Sequence, residues 1–442
     1  MKNHYIIFAV LLFSALFAAN TVQAITVVYP TGIFPADVQN VQAAINQGGT
    51  VLRKATDSVG HPLAFNFGTP EPNNVPLRFV AIETNVSLSG ELVSGSRTTI
   101  TGGFGPLRIF GGKNSIDGIK IDGPLNAAIV IVKSNGTRII GNAIQNVVPD
   151  VVAQGFSISD GIDVFGGFDG SRISGDLVIS GNSIGNLTGD FALGIQVDSV
   201  QASVTISNNT FQLGQTAATV GFLNSAGIGC VRCHKAVTIS GNMITIGPGI
   251  VFNGIVTVGG PDARYHVYSN TINSQGPLSD GIVVFGVADD PGPTVSAVIE
   301  NNFITVHNAE NFFGGIDLFG AVSSSTTQGN IIRGDAGAAL NMDQLFPGDT
   351  GLVSSNRFLF NDIASVTVSG VPIFLGANTV NNLVRGQCVD VIDLGVSNDI
   401  SCPNPASHVA SFSNATRQQL LQRAIKAEST VRSLASQKFS RF

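Results

Sequence analysis

Four aspartates hold equivalent places in a repeated phrase, and those places suit acid–base chemistry. The phrase reads Gly-Ile-x-apolar-x, and its x positions include Asp163, Asp198, Asp317 and Asp343. If each copy forms a strand that stacks on the next, Asp163 and Asp198 are diagonal neighbours about 8 Å apart. The same separation is expected between Asp317 and Asp343. Two carboxyl groups at that separation could admit a water molecule between a general acid and a general base, as in inverting glycosidases.

Other x positions carry side chains that could contact an extended ligand. These candidate substrate-binding residues are Phe165, Gln196, Phe285, Phe319 and Asn341. Because side chains alternate along a strand, the Ile and the next apolar residue should point inward and both x positions toward solvent. Asp163 and Asp317 are five strands apart, about 24 Å, so they cannot act on one bond. The structural alternative is that the aspartates cap turns or form an ordinary solvated surface.

The elements that position these residues are short β-rich repeats. Copies of the first phrase begin at Gly161, Gly194, Gly227, Gly254, Gly281 and Gly315, with a fainter copy at Ala339. A second phrase, apolar-Ser-Gly-Asn-x-Ile, alternates with the first. Its asparagines are Asn142, Asn182, Asn209, Asn242, Asn270, Asn302, Asn330 and Asn356. Such spacing is typical of a solenoid whose coils stack on one another. We expect each asparagine at an inner corner, with its amide bonded to the asparagines above and below.

The segment that follows residue 24 suits the capped end of a solenoid. Ile25 to Tyr29 predicts a strand, and Asp37 predicts the N-cap of a short helix from Val38 to Gln47. The first coil of a solenoid exposes an apolar cross-section and unpaired strand edges, which require a cover. A helix at this place would supply one.

Together, the repeats and the passage from Asp37 to Val51 resemble the right-handed parallel β-helix proteins of the pectate-lyase-like superfamily. The resemblance implies an all-β fold, a single-stranded right-handed parallel β-helix with an N-terminal capping helix and a C-terminal helix. We predict the first strand and capping helix in residues 25–60 and the β-helix in residues 61–385. The architecture hosts many activities, among them polysaccharide hydrolysis and lysis.

The catalytic motifs of that superfamily are mostly missing. The polygalacturonase-like set of Asn-Thr-Asp, paired Asp, His-Gly and Arg-Ile-Lys does not occur, and no arginine stands beside a cluster of calcium-binding carboxylates. The sequence therefore favours an exported protein that binds a polysaccharide or a surface partner along its outer face. The alternative is a polysaccharide hydrolase or lyase that uses the outward aspartates.

Composition narrows the classes of partner. The 442 residues carry a formal net charge of −6, and only 12% of them are charged. Proteins that bind nucleic acids show basic patches, so no nucleic-acid partner is expected. Tryptophan is absent and tyrosine numbers only 4, so phenylalanine, at 28 residues, must supply most of any stacking on sugar rings.

Residues 1–24 have the pattern of a secretory signal peptide. Lys2 precedes an apolar stretch, and Val22-Gln23-Ala24 supplies a site for cleavage before Ile25. A membrane anchor is the alternative, but the apolar run is short for a span. We therefore expect a secreted or periplasmic protein with no membrane span after cleavage.

The four cysteines raise the question of disulfide and cofactor chemistry. Cys388 and Cys402 are predicted to pair within a turn-rich segment, residues 386–412. Cys230, Cys233 and His234 match the attachment signature of haem c, Cys-x-x-Cys-His. The chain then continues into a repeat strand, which leaves little room for a macrocycle, and a zinc site would lack a fourth ligand. A disulfide within the turn, or two free thiols, is the preferred interpretation, and no cofactor or metal is expected.

Residues 413–442 predict the one long helix of the chain. Leu420, Leu421, Ala424 and Ile425 recur there at helical spacing. The helix is predicted to fold back over the last coils, with a role in oligomerisation as the alternative.

Overall fold

The computed structural model describes residues 25–69, 78–151, 157–167, 170–189, 191–213, 225–247, 253–259, 263–276, 279–286, 295–309, 314–335, 337–343, 351–366, 372–386 and 391–401. The predicted signal peptide, the predicted pair Cys388 and Cys402, and the predicted C-terminal helix lie outside these residues. Within them, no helix has the length and apolar character needed to cross a membrane.

Three long sheets run along the chain, and successive strands visit them in rotation. One pass through the first, second and third sheet forms a coil, and each strand pairs in parallel with its counterpart in the next coil. This topology is a parallel β-helix, which confirms the predicted all-β architecture. Strands of the first sheet already occur at Ile25–Val28 and still occur at Asp399–Ser401.

The strand bounds follow the coil order within each sheet. The first sheet contains Ile25–Val28, Gly49–Arg53, Val86–Gly90, Asn114–Asp117, Thr137–Ile140, Leu177–Ser180, Val204–Ser207, Ala236–Ser240, Arg264–Tyr268, Ser296–Glu300, Thr326–Gln328, Arg357–Leu359, Leu383–Arg385 and Asp399–Ser401. The second contains Phe65–Asn66, Thr99–Thr101, Lys120–Asp122, Ala143–Gln145, Ser183–Gly185, Thr210–Leu213, Met243–Ile246, Thr271–Gln275, Phe303–His307, Ile331–Gly334 and Asp362–Val366. The third contains Val80–Ile82, Leu107–Ile109, Ala127–Ile131, Ser157–Phe165, Phe191–Val200, Ala226–Cys233, Asn253–Gly259, Ile282–Gly286, Gly314–Gly320, Ala338–Asp343, Ile373–Leu375 and Val391–Asp393.

Three shorter pairings complete the strand inventory of the described chain. Asp150–Val151 pairs antiparallel with the start of Ser157–Phe165, and Leu92–Val93 pairs antiparallel with Ser96–Arg97. Val353–Ser354 pairs in parallel with Thr379–Val380.

Helix α1 (Ala36–Gln47) covers the N-terminal end of the coil stack, as predicted. Its buried residues are Asp37, Val38, Val41, Ala44 and Ile45. The predicted N-cap role of Asp37 is wrong, because the helix begins at Ala36, two residues before the predicted start, and its N-cap, Pro35, has no side-chain hydrogen bond. The Asp37 carboxylate instead accepts backbone N–H groups of Thr31 and Asn66, each at 2.7 Å, and so ties the helix to the first coil.

The corner between the first and second sheets is built from one left-handed residue and one buried asparagine. The left-handed residue is glycine in half of the corners, as in Gly181 with φ 65° and Gly241 with φ 62°, and another residue in the rest, such as Asn208 with φ 55°. The buried asparagine next to it donates from its backbone and its side chain to the amide oxygen of the next asparagine. Asn182 bonds in this way to Asn209, with both distances 2.9 Å. We call this column the asparagine corner, and it confirms the predicted ladder from Asn142 to Asn330.

The last predicted member of the ladder, Asn356, lies elsewhere. Asn330 donates to Asn361 at 2.8 Å, so Asn361 continues the asparagine corner and the prediction for Asn356 is wrong. Asn356 lies before its strand of the first sheet, whereas the corner residues lie after theirs. There it donates to Asn382 at 3.1 Å and begins a second, shorter ladder. The same Ser-Asn dipeptide suits either corner, so the letters alone do not distinguish them.

Candidate functional site

The outer face of the third sheet brings the two predicted x columns together. The first column aligns Asp163, Gln196, Gly229, Val256, Val283, Asp317 and Asn341 in neighbouring coils. The second column aligns Phe165, Asp198, Val231, Val258, Phe285, Phe319 and Asp343. The residues that alternate with them along the strand, such as Ile162 and Val164, belong to the interior core. The two columns therefore share the outer surface, which we call the third-sheet face.

The third-sheet face is apolar in its middle and acidic toward both ends. A cluster separate from the interior core contains Leu193, Ala226, Val256, Val283 and Phe319, with Val258 and Phe285 packed against it. Asp163 and Asp198 lie on the N-terminal side of this cluster, and Asp317 and Asp343 lie on its C-terminal side. The predicted diagonal placement of each pair agrees with the strand register.

Exposure divides the predicted site residues into two groups. Asp163, Phe165, Gln196, Phe285 and Asp343 are half-buried. The predicted exposure of the x positions is wrong for the other four, because Asp198 is 8% exposed, Phe319 4%, Asn341 5% and Asp317 0%. A ligand on this face would therefore meet the half-buried group first.

Two glycines leave room for polar side chains on this face. A Cβ atom at Gly229 would lie 2.5 Å from Oε1 of Gln196, and one at Gly376 would overlap the carboxylate of Asp343. Gln196 and Asp343 thus extend over the bare backbone of the following coil. Their amide and carboxylate groups are held along the column direction.

Asp198 is a paired carboxylate. It accepts hydrogen bonds from Nη2 of Arg232 at 3.1 Å and from the hydroxyl of Ser199 at 2.6 Å. Arg232 has φ 50°, and the register of its strand shifts between Val231 and Cys233, so a bulge aims the guanidinium at Asp198. This arrangement neutralises one of the two acids at the N-terminal end of the face.

Asp317 has a neighbour that the sequence reasoning missed, Asp280. Asp280 is 3% exposed, and its Oδ1 accepts the backbone N–H of Gly314 at 2.7 Å. Neither carboxylate oxygen of Asp317 has a hydrogen-bond partner within the described chain. Burial raises the pKa of Asp280 to about 7, and burial together with the Asp280 charge raises the pKa of Asp317 well above its usual range. The pair therefore retains a proton near neutral pH, beside Asp317 oxygens that have no other donor in the described chain.

A sequence signal for Asp280 did exist. Ser279-Asp280-Gly281-Ile282 matches Ser159-Asp160-Gly161-Ile162 in the first copy of the phrase. Asp280 precedes the Gly-Ile pair, whereas both x positions follow it, so strand alternation within the phrase did not select Asp280. Because Gly281 and Ile282 both approach the core, the residue before them returns to the outer surface.

The cysteine motif lies in the interior rather than at a ligand site. Cys230 and Cys233 are both free thiols and both fully buried, which decides between the two preferred interpretations in favour of free thiols. The bulge at Arg232 lets two side chains three residues apart face inward. Contact with the Cys230 thiol, and then burial, raise the pKa of the Cys233 thiol well above its usual value. Among the described residues, no group of three or more His, Cys, Asp and Glu side chains could hold a metal ion.

Comparisons with known proteins give structural likenesses only. No protein-family model matches the chain, and no curated protein matches its sequence. The A-module of mannuronan C-5 epimerase AlgE6 from Azotobacter vinelandii superposes with a TM-score of 0.38 and 13% identity over 83% of this chain and 96% of its own. The A-module of AlgE4 from the same organism gives 0.32 and 13% over 84% and 95%. A mannuronic acid-specific polysaccharide family 6 lyase from human gut microbiota gives 0.32 and 9% over 95% and 100%. At these scores the likenesses carry no argument about activity, which has to be argued from the chain's own residues.

Proposed function

We propose that the protein binds a polysaccharide along the third-sheet face. The observation that carries this proposal is the pair of columns on that face. It presents half-buried Asp, Gln or Phe side chains in four of its seven coils, and neighbouring coils are about 4.8 Å apart. An extended polymer that runs along the solenoid can meet these side chains in turn, with the apolar cluster between them. Gln196 and Asp343 offer hydrogen bonds, and Phe165 and Phe285 offer apolar surface for the faces of sugar rings.

The charge of the face favours a neutral or cationic polysaccharide. Asp163 and Asp343 are acidic, and the guanidinium of Arg232 is already engaged by Asp198. The carboxylates would repel a polyanion. Among the described residues of the two columns, no cation is available to offset that repulsion. Export through the predicted signal peptide belongs to the same proposal, since a secreted or periplasmic protein meets such polymers.

Calorimetric titration of the mature protein with neutral, cationic and anionic polysaccharides tests this proposal. Gln196→Ala and Phe285→Ala should each weaken binding about tenfold, the effect of losing about 1.4 kcal/mol. Thr238→Ala on the outer face of the first sheet is the matched control and should bind like the native protein. Equal losses in all three variants, or no loss in the first two, would place the ligand elsewhere.

A polysaccharide hydrolase or lyase is the second candidate, and the Asp280–Asp317 pair favours it. A carboxyl group that stays protonated near neutral pH can act as a general acid, and a buried carboxyl neighbour is one means of keeping it protonated. The pair lies directly beside the apolar cluster of the face, through Val283 and Phe319. Asp163 with Asp198, and Asp317 with Asp343, remain the pairs that the sequence proposes.

A screen that follows both new reducing ends and unsaturated products separates the two candidates. Reducing ends alone indicate hydrolysis, and both signals together indicate lysis. If turnover occurs, Asp317→Asn should abolish it and leave the affinity for the polymer within a factor of a few. Binding without turnover across the panel supports the binding protein and contradicts the enzyme.

A further inference from the structure

Arg53 is a fully buried arginine in the first coils of the solenoid. It ends the strand Gly49–Arg53, and it is 0% exposed. Its side chain alternates with the half-buried positions Thr50 and Leu52 and so points inward like Val51. In the neighbouring coils its register partners are Val28 and Gly90. The guanidinium thus lies inside the solenoid, where the same sheet elsewhere places isoleucine, leucine and valine.

The guanidinium of Arg53 has no protein partner in the described chain. Its Nε, Nη1 and Nη2 atoms are all buried and none of them donates a hydrogen bond. The nearby carboxylate of Glu91 is already engaged by Lys54 at 2.6 Å and by the backbone N–H of Ala55 at 3.3 Å. The hydroxyl of Thr98 donates to the carbonyl oxygen of Arg53 at 2.6 Å and accepts the backbone N–H of Glu91 at 2.8 Å.

A buried, unpaired guanidinium is costly, since a charge outside water needs a counter-charge and hydrogen-bond acceptors. Burial lowers the pKa of Arg53 only to about 9, so the group still carries its charge at neutral pH. The five N–H donors of a guanidinium can be satisfied only by acceptors, and an anion supplies both acceptors and charge.

We propose that Arg53 binds a small inorganic anion inside the first coils of the β-helix. Two observations carry this inference: the buried guanidinium has no acceptor in the described chain, and the Glu91 carboxylate is engaged by Lys54 and Ala55. Because the Arg53 side chain is 0% exposed, we assign the site to a monatomic anion such as chloride or bromide, the smallest anions that can supply the charge. The site is separate from the third-sheet face, and its test does not depend on the polysaccharide.

Hydrogen exchange at constant ionic strength tests the site, with chloride replaced by gluconate. Amides in residues 49–53 and 86–101 should exchange more slowly as chloride rises, about tenfold for each tenfold increase above the dissociation constant. Arg53→Met should remove this dependence. Arg138→Met, which changes an exposed arginine of the first sheet, should keep it.

Bromide gives a direct test on the native protein and covers the case in which Arg53→Met does not fold. Crystals grown or soaked in bromide should show an anomalous peak within hydrogen-bond distance of the Arg53 guanidinium. Exchange rates that ignore chloride and bromide, together with no anomalous peak at Arg53, would overturn the proposal. An exchange effect that persists in Arg53→Met would do the same, because it would place the anion elsewhere.

Discussion

Buried polar side chains are hydrogen-bonded throughout the asparagine corner, whereas the third-sheet face contains a buried carboxylate that is not. In the corner, Asn209 accepts two hydrogen bonds from Asn182, and its own N–H groups bond to Asn242 and to the carbonyl oxygen of Ile179. On the face, both carboxylate oxygens of Asp317 are buried and lack a hydrogen-bond partner in the described chain. Asn209 and Asp317 are both buried, at 1% and 0% exposure.

This difference separates structural polar residues from candidate functional ones. A buried amide with every donor and acceptor engaged stabilises one geometry and has no capacity left for a ligand. A buried carboxyl pair with unsatisfied oxygens costs stability, and chains retain such costs mostly at sites that bind or react. Substitutions in the two regions should therefore differ in the size and in the sign of their effects.

The largest effect is expected from Asn209→Ala in the middle of the corner. The change removes the acceptor of two N–H groups of Asn182 and leaves the carbonyl oxygen of Ile179 without its donor. Orphaned buried groups of this kind cost about 1–3 kcal/mol each, so we expect a loss of about 3–5 kcal/mol in the free energy of unfolding. Chemical denaturation of the purified variant measures the loss.

Asn273→Ala is the control for the corner, since Asn273 is an exposed asparagine of the second sheet. Its effect should stay within about 0.5 kcal/mol. Losses of similar size in the two variants would show that Asn209 contributes no more to the free energy of unfolding than an exposed asparagine does.

An effect of comparable size and opposite sign, seen at high pH, is expected from Asp280→Asn on the face. The folded pKa of Asp280, about 7, is higher than its unfolded value near 3.8, so the native state binds the proton more tightly. Its contribution to stability is complete below the unfolded pKa and is lost as the pH rises through the folded pKa. Between about pH 4 and 7 the native protein should lose about 1.4 kcal/mol per pH unit from this group.

Asp280→Asn removes that contribution and keeps an oxygen for the N–H of Gly314. Denaturation curves at several pH values should therefore fall less steeply for the variant than for the native protein across pH 4–7. Asp117→Asn, an exposed aspartate of the first sheet, should leave the slope unchanged. A variant slope equal to that of the native protein would show that Asp280 is not held in its protonated form.

Much of the fold can be predicted from the sequence, because each repeat contains the residue types that its corner requires. A residue that tolerates a left-handed backbone, followed by a buried asparagine, can form only a narrow set of corners, and the column from Asn142 to Asn330 is one of them. The exception, Asn356, shows the limit. The dipeptide Ser355-Asn356 fits two corners, and only the position of the next strand, Arg357–Leu359, decides between them.

The candidate site follows from the sequence less completely. Strand alternation predicts the two columns and therefore the placement of Asp163, Asp198, Asp317 and Asp343. It does not predict burial of the outer face or the return of Asp280 to the surface before the Gly-Ile pair. It also fails at the bulge, where Arg232 turns outward and Cys230 and Cys233 both turn inward. Each of these depends on contacts between coils that no single repeat contains.

The smallest effect is expected from Asp198→Asn. Asp198 lies on the third-sheet face, but its carboxylate accepts hydrogen bonds, as the amides of the corner do. Its carboxylate accepts from Arg232 at 3.1 Å and from Ser199 at 2.6 Å, so the change should cost about 1 kcal/mol, partly because Arg232 loses its counter-charge. A double-mutant cycle with Arg232→Gln, followed by denaturation, should return a coupling free energy of similar size. If Asp198→Asn instead leaves stability unchanged and abolishes binding or turnover, Asp198 belongs with the functional residues, and hydrogen-bond satisfaction no longer separates the two regions.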